Sequence, residues 1–251
     1  MLKEKILEIK KEAIEKANAE AEEAKQRHKR LKGVFLLLLM DYFENYSKDG
    51  RFSVNRFQRK AILSEVEQKV IKETKALAQE ELQIDENVLD DIVKNAYEKH
   101  VDVIGGDKNI LLNPVFTHEI IFKDYRGDSF ENRILNNKRK LAGKLYSAFD
   151  KVLLNNSTLG EASEIIKEVF DKSDYESYRL LMNEQGRVFD AVQTKIFIDE
   201  ATIEKVMWAS ALCPNTCPYC EMMDGSVFEV NDPNKPEIPV HVLCQCCWIP
   251  V

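Results

Sequence analysis

The residues best suited to chemistry are six cysteines, Cys213, Cys217, Cys220, Cys244, Cys246 and Cys247, and none precedes residue 213. Cys217-Pro-Tyr-Cys220 is followed, after 20 residues, by His241-Val-Leu-Cys244. Two ligands separated by two residues form a knuckle whose donor atoms reach one ion without straining the backbone, at about 2.3 Å for a zinc–sulfur bond. Two such knuckles predict a tetrahedral zinc shell of Cys217, Cys220, His241 and Cys244. A closed four-ligand shell is structural, because catalytic zinc keeps one position open for water. Cys246 is the alternative fourth ligand, since Cys244 and Cys246 point to the same side if they lie on a strand. Cys213 and Cys247 are then spare and read as small buried apolar residues. Disulfides are the competing reading; they require an oxidising compartment, for which the sequence carries no signal.

Other constellations fail on spacing. A zinc deaminase needs His-x-Glu upstream and proline directly before the first cysteine. There is no His-x-Glu, and Thr216 precedes Cys217. His118-Glu119 would begin a zinc-protease helix if residue 122 were histidine, but it is Phe122. Gly105-Gly106 reads as a turn rather than a phosphate loop. Arg179, Asn183, Glu184 and Arg187 read as a solvated or interface-facing stripe, and His28 and His100 as exposed residues of charged helices. Lys25, Arg27, Lys29, Arg30 and Lys32 read as a solvated basic face. With no catalytic constellation, the chain is expected not to be an enzyme.

The 251 residues hold 36 Lys and Arg against 43 Asp and Glu, a formal net charge of −7. Such a chain is a poor non-specific DNA binder, because neutralising phosphates needs an excess of cations. From Cys213 to Val251, Lys235 is the sole Lys or Arg. The longest apolar run, Val34 to Met40, is far short of the ~20 residues that cross a bilayer. The charged N-terminus does not resemble a secretory signal, so folding in the cytoplasm of the producing cell is expected.

The elements that must position the cysteines follow from periodicity. Leu2, Ile6, Ile9, Ala13, Ala17, Ala21, Ala24, His28 and Leu31 recur at steps of three or four and predict one face of a long helix, able to pack within the chain or against a second copy. Gly33 marks a break. Lys48-Asp49-Gly50 is a turn, followed by a helix over Phe52–Glu81 and another capped by Asp85, with Val88, Ile92, Ala96 and Tyr97 along one side. The segment from Gly105 to Gly127 reads as irregular, with Pro114 against a helix, and Ser129–Leu154 as helical. Thr158-Leu-Gly-Glu161 and Ser173-Asp-Tyr-Glu176 both fit the capping box. They predict one helix from Thr158 to Phe170 and a second from Ser173 to about Ile196. Val206-x-Trp208-x-Ser210 and Ser226–Val230 alternate like strands, with Asp224-Gly225 as the turn. Pro214, Pro218, Pro233, Pro236 and Pro239 cluster here and mark a small module from about Ile203. The expected fold is mainly α: an elongated helical region over 1–130, then 131–251 ending in a zinc-stapled α+β module at 203–251.

Thr216-Cys-Pro-Tyr-Cys220, Asp224-Gly225-Ser-Val-Phe228, His241-Val-Leu-Cys244-Gln-Cys246 and Ile249-Pro250 resemble the terminal signature of the phage minor head proteins of the Mu F-like head morphogenesis family. Upstream, Asn137-Lys138, the Thr158–Phe170 segment and Tyr178-Arg179 through Glu184 fall where that family is helical, so the resemblance covers 131–251. Cys213 stands where the family has Asp, Asn215 where it has Arg, Val242 where it has Pro and Gln245 where it has Arg. Met182-Asn183 replaces Arg-Thr, leaving Glu184 of that short motif. The resemblance implies a structural minor capsid protein of a tailed phage, located in the virion head and assembled in the bacterial host cytoplasm. It implies association with the portal protein, with capsid or scaffolding proteins and with packaged DNA. Some members carry a fused toxin or ADP-ribosyltransferase domain; the sequence reaches Val251 directly after the module, and no such enzyme is expected. The competing functional readings are a zinc-containing nucleic-acid binder and a metalloenzyme or toxin-related domain.

Overall fold

The computed structural model describes residues 2–199, 203–210 and 216–251. It is mainly helical with a small C-terminal strand region. In chain order it contains α1 (Leu2–Tyr46), β1 (Ser47–Lys48), β2 (Arg51–Phe52), α2 (Arg56–Ile104), a 3-10 turn (Lys108–Leu112), α3 (Pro114–Phe122), α4 (Phe130–Leu154), α5 (Leu159–Asp199), β3 (Lys205–Ala209), α6 (Pro218–Met223), β4 (Val227–Glu229) and β5 (Cys247–Pro250). No helix among the described residues is long and apolar enough to cross a membrane.

Three expected helix breaks are absent. In α1, Ile6, Ile9, Ala13, Ala17, Ala21, Ala24 and Leu31 are buried, with Leu2 left exposed. The same face continues through Phe35, Leu39 and Tyr42, so α1 runs straight through Gly33. Asp85 opens no new helix: α2 carries on across it, and Asp85 itself is buried. Thr158 does open α5, with its amide donating to Glu161 Oε2 at 2.8 Å and its hydroxyl accepting from the Glu161 amide at 3.2 Å. The second box at Ser173 opens no helix, because the buried row Ile166, Phe170, Ser173, Ser177 and Leu181 holds α5 continuous. In each case burial of an unbroken apolar face outweighs a local stop signal worth about 1 kcal/mol. The segment expected to be irregular is instead two capped helical pieces. The Asp107 side chain accepts from the Asn109 amide, and that of Asn113 accepts from the Val115 amide. Pro114 sits in the first turn of α3, where its missing N–H costs nothing.

The chain forms two compact units that are not consecutive in sequence. The first comprises Met1–Glu20, Ile84–Phe130 and Arg179–Val251; the second comprises Ala21–Gln83 and Glu131–Tyr178. The sequence reading divides the chain at 130/131. The units instead share α1, α2 and α5, because helices of 45, 49 and 41 residues are long enough to contribute to two cores.

In the second unit, segments of α1, α2, α4 and α5 enclose one core around Phe35, Leu39, Val66, Leu145, Phe149, Ile166 and Phe170. Phe35 meets Phe149 edge-on at 6.3 Å and Phe170 at 6.0 Å. The β1–β2 hairpin turns on Asp49 and Gly50, both with positive φ, and the Phe52 amide donates to the Ser157 carbonyl at 3.0 Å. One layer of this core is polar. Lys138 Nζ lies 2.5 Å from Glu81 Oε2, 2.7 Å from Ser177 Oγ and 3.2 Å from His28 Nε2, and all four residues are buried. His28 is thus not exposed as expected. Nor is His100, which in the first unit donates from Nδ1 to the Ala96 carbonyl and receives Gln193 Nε2 on its other nitrogen.

Burial, reinforced at His28 by the charge of Lys138, pushes both histidines down to about 4. The unfolded chain takes up these protons near 6.5, whereas the folded chain resists until about 4. Each histidine therefore withdraws roughly 3 kcal/mol of stability as pH falls through that window. Asp190, held up to about 6 by burial, acts with the opposite sign in the first unit. The expected result is a urea midpoint that drops between pH 6.5 and 4, and a His28→Gln variant whose profile across that window is flatter.

In the first unit, β3 is the centre of an antiparallel sheet of order β4-β3-β5. Trp208 on β3 stands opposite Trp248 on β5, with the rings perpendicular at 5.1 Å. Phe228 lies 5.6 Å from Trp248. The sheet is bound to α5 rather than standing as a separate module. Gln193 exchanges two hydrogen bonds with the Trp248 backbone, at 2.9 and 3.1 Å, and Asp190 accepts from Trp248 Nε1 at 2.9 Å.

Candidate metal centre

Both knuckles lie beside one end of the sheet. Cys217-Pro-Tyr-Cys220 lies on the connection from β3 to β4, and His241-Val-Leu-Cys244 precedes β5, whose first residue Cys247 pairs with Ala209. Cys217 caps α6: its carbonyl accepts from the Glu221 amide at 3.0 Å, and its sulfur accepts from the Cys220 amide at 3.4 Å. Proline at the first helical position suits this turn. The expected Asp224-Gly225 turn leads into β4, with Gly225 at φ 80°. Asp224 Oδ1 accepts from the Ser210 amide at 2.7 Å, and the Gly225 amide donates to the Trp208 carbonyl at 2.9 Å.

These local structures bring the donor atoms together. His241 Nε2 is 3.1 Å from both Cys217 Sγ and Cys220 Sγ, and Cys220 Sγ is 3.9 Å from Cys244 Sγ. Two sulfurs bound tetrahedrally at about 2.3 Å lie about 3.8 Å apart. Cys217, Cys220 and His241 form one triad able to hold a metal ion; Cys220, Cys244 and Cys246 form a second. Cys220 belongs to both. The donor set of thiols and one imidazole suits a borderline-soft cation. His241 Nδ1 donates to the Val242 carbonyl at 2.9 Å, which fixes the tautomer and leaves the Nε2 lone pair free to coordinate an ion held with the sulfurs. The hydrogen bond from Cys246 holds the Cys244 thiol below its ordinary value, and the same bond together with burial raises that of Cys246. The five described cysteines are unbridged. Cys247 is outside both triads, fully buried on β5, with its thiol pushed up to about 12 by that burial. Cys213 lies outside the described residues.

No family model, curated protein or solved structure matches the chain. The functional reading therefore stands on the geometry and on the motif itself.

Behind the second knuckle lies a support formed by residues that the sequence reads as a solvated or interface-facing stripe. Glu184 and Arg187 are buried, not part of a solvated stripe, while Arg179 is exposed. Arg187 pairs with Glu184 at 2.6 Å and donates to the Ile120 and Ile121 carbonyls, each at 2.7 Å, so it satisfies the C-terminal end of α3. Asn183 Oδ1 accepts from the Leu243 amide at 2.7 Å. Leu243 has a φ of 60°, in the left-handed region unfavourable to a branched side chain. At Gly186, an added Cβ would stand 3.2 Å from the Cys244 carbonyl oxygen, so glycine lets the knuckle backbone lie against α5. The signal was available: Asn183, Gly186, Asp190 and Gln193 recur at steps of three and four and form one polar or small row along α5.

Asn183→Ala is expected to leave the Leu243 amide unpaired and destabilise the protein by about 1–2 kcal/mol, while Leu243→Gly acts in the opposite direction by relieving the positive φ. Thermal unfolding of the two variants checks the pair of signs.

Proposed function

We propose that this chain is a structural minor head protein of a tailed phage, of the kind its C-terminal signature resembles, and that its Cys/His cluster holds one structural zinc ion. The observation that carries the metal reading is that two donor triads, Cys217–Cys220–His241 and Cys220–Cys244–Cys246, share Cys220 beside one small sheet. Zinc suits this set because it accepts sulfur and nitrogen donors tetrahedrally and has no redox chemistry to control. Cys217, Cys220, His241 and Cys244 form its shell, and Cys246 supports Cys244 by hydrogen bonding. The ion would contribute folding energy to a sheet whose strands are only three to five residues long. The sheet in turn fixes α5 through Asp190 and Gln193.

In this reading the helices contact the portal protein and the capsid or scaffolding proteins during procapsid assembly, and the chain resides in the virion head. The module itself is poorly suited to phosphate. From Cys213 to Val251 the one Lys or Arg, Lys235, is engaged internally, 3.4 Å from Thr194 Oγ1 and 4.9 Å from the centre of the Trp248 ring.

The test is co-expression of the tagged chain with the portal and scaffolding proteins encoded in the same phage genome, followed by sedimentation. The chain is expected to travel with portal rings or procapsids. Its recovery solely as free protein would overturn the assembly role.

A further inference from the structure

In the second unit α1 buries Leu31, Phe35, Leu39 and Tyr42 against the core. The opposite side of the same stretch is apolar too. Val34 is 37 % exposed, Leu37 67 % and Met40 44 %, so the apolar run from Val34 to Met40 serves two surfaces. Single exposed apolar side chains are ordinary on a protein surface, but three on successive turns of one helix leave a contiguous stripe in water. Arg30, Val34, Leu37, Asp41 and Glu44, all exposed, follow one another at alternating steps of four and three. That is the spacing of a seam between two helices. Arg30 stands seven residues before Leu37 and Glu44 seven residues after it, and neither makes an ion pair among the described residues. Gly33 lies beside the stripe, and a Cβ added there would meet nothing within 4 Å. Packing within the chain therefore does not call for glycine at this position, although glycine weakens a helix interior relative to alanine.

We propose that this stripe is the interface of a homodimer, in which α1 of a second copy lies antiparallel across it with the two-fold axis at Leu37. The axis sets Leu37 against Leu37 of the second copy, Val34 against Met40 of the second copy, and Arg30 against Glu44 of the second copy. Each unlike contact occurs twice, as an isologous interface requires. A parallel pairing would instead oppose Arg30 to Arg30 and Glu44 to Glu44. A second copy is the occupant because the stripe is complementary to itself: a partner of another sequence needs no opposite charges at equal distances from a central leucine. Gly33, with no side chain of its own, lets the two helices approach closely beside the axis. Few side chains take part, which places the contact at the small end of specific interfaces, and the dimer is expected to dissociate in the micromolar range. The proposal depends on neither the metal reading nor the assembly reading.

Sedimentation velocity of the full chain over a range of micromolar concentrations tests it. The wild type is expected to pass from monomer to dimer as concentration rises. Arg30→Glu and Glu44→Arg are each expected to weaken the dimer about tenfold, because either reversal turns two symmetric attractions into repulsions. Mixed in equal amounts, the two variants are expected to associate as the wild type does, since every reversed end then faces an opposite charge. Leu37→Asp is expected to remain monomeric throughout. All three positions are exposed, so each variant should keep the circular dichroism of the wild type; should Leu37→Asp fail to fold, the two charge variants and their mixture still decide. A wild type that is monomeric at every concentration, or a dimer that both reversals leave intact, would overturn the interface. Association lost in each reversal and not recovered in the mixture would overturn the antiparallel seam.

Discussion

Cys220→Ser is expected to abolish metal retention and to unfold the strand region over 205–250, because Cys220 is the donor common to both triads. Structural zinc contributes on the order of 10 kcal/mol to the folding of small modules, as judged from zinc-finger peptides. The module here shares its core with α5 through Trp248, Gln193 and Asp190, so part of that energy is replaced by packing. The effect should thus be concentrated at the sheet. Hydrogen exchange is expected to show loss of protection at β3, β4 and β5, with the second unit, built on Phe35, Phe149 and Phe170, retaining its own. Cys247→Ala is the control. It removes a fully buried thiol outside both triads, and should lower stability by about 1–2 kcal/mol without releasing metal.

The second large effect concerns the polar layer of the second unit. Glu81→Leu removes the partner of Lys138, whose ammonium is 2.5 Å away and 2 % exposed. Breaking a buried pair from one side costs about 3–5 kcal/mol, because the remaining charge has lost its compensation. The double variant Glu81→Leu/Lys138→Met is expected to recover most of that loss, since replacing both charges by apolar groups of similar volume is often close to neutral. Urea denaturation of both variants checks this. The recovery will be incomplete to the extent that Ser177 Oγ and His28 Nε2, which both face Lys138, are left without it.

The Cys/His cluster was the most legible part of the sequence, and the reason is locality. A knuckle is set by two intervening residues, a proline and a turn, so Cys217–Cys220 and His241–Cys244 announce themselves without knowledge of the fold. What depends on distant packing was not legible. Thr158 and Ser173 carry the same capping pattern, but only Thr158 follows a chain reversal, at Asn156 with φ 49°. Ser173 lies on a buried face and turns its hydroxyl toward His28 Nε2 at 3.4 Å. His28, Lys138 and Glu81 look like surface residues of charged helices because their partners are 110 and 57 positions apart along the chain. Arg187 and Glu184 read as a solvated or interface-facing stripe for the same reason: the carbonyls that bind Arg187 belong to α3, 66 and 67 residues away. The division into units escaped sequence analysis because nothing in composition marks where a continuous helix passes from one core to another.

Native mass spectrometry of the purified chain under reducing conditions, before and after chelation, tests the central claim most directly. The account predicts one zinc ion per chain, lost on chelation together with the protection of β3, β4 and β5. A metal-free chain whose strand region is equally well protected would contradict it.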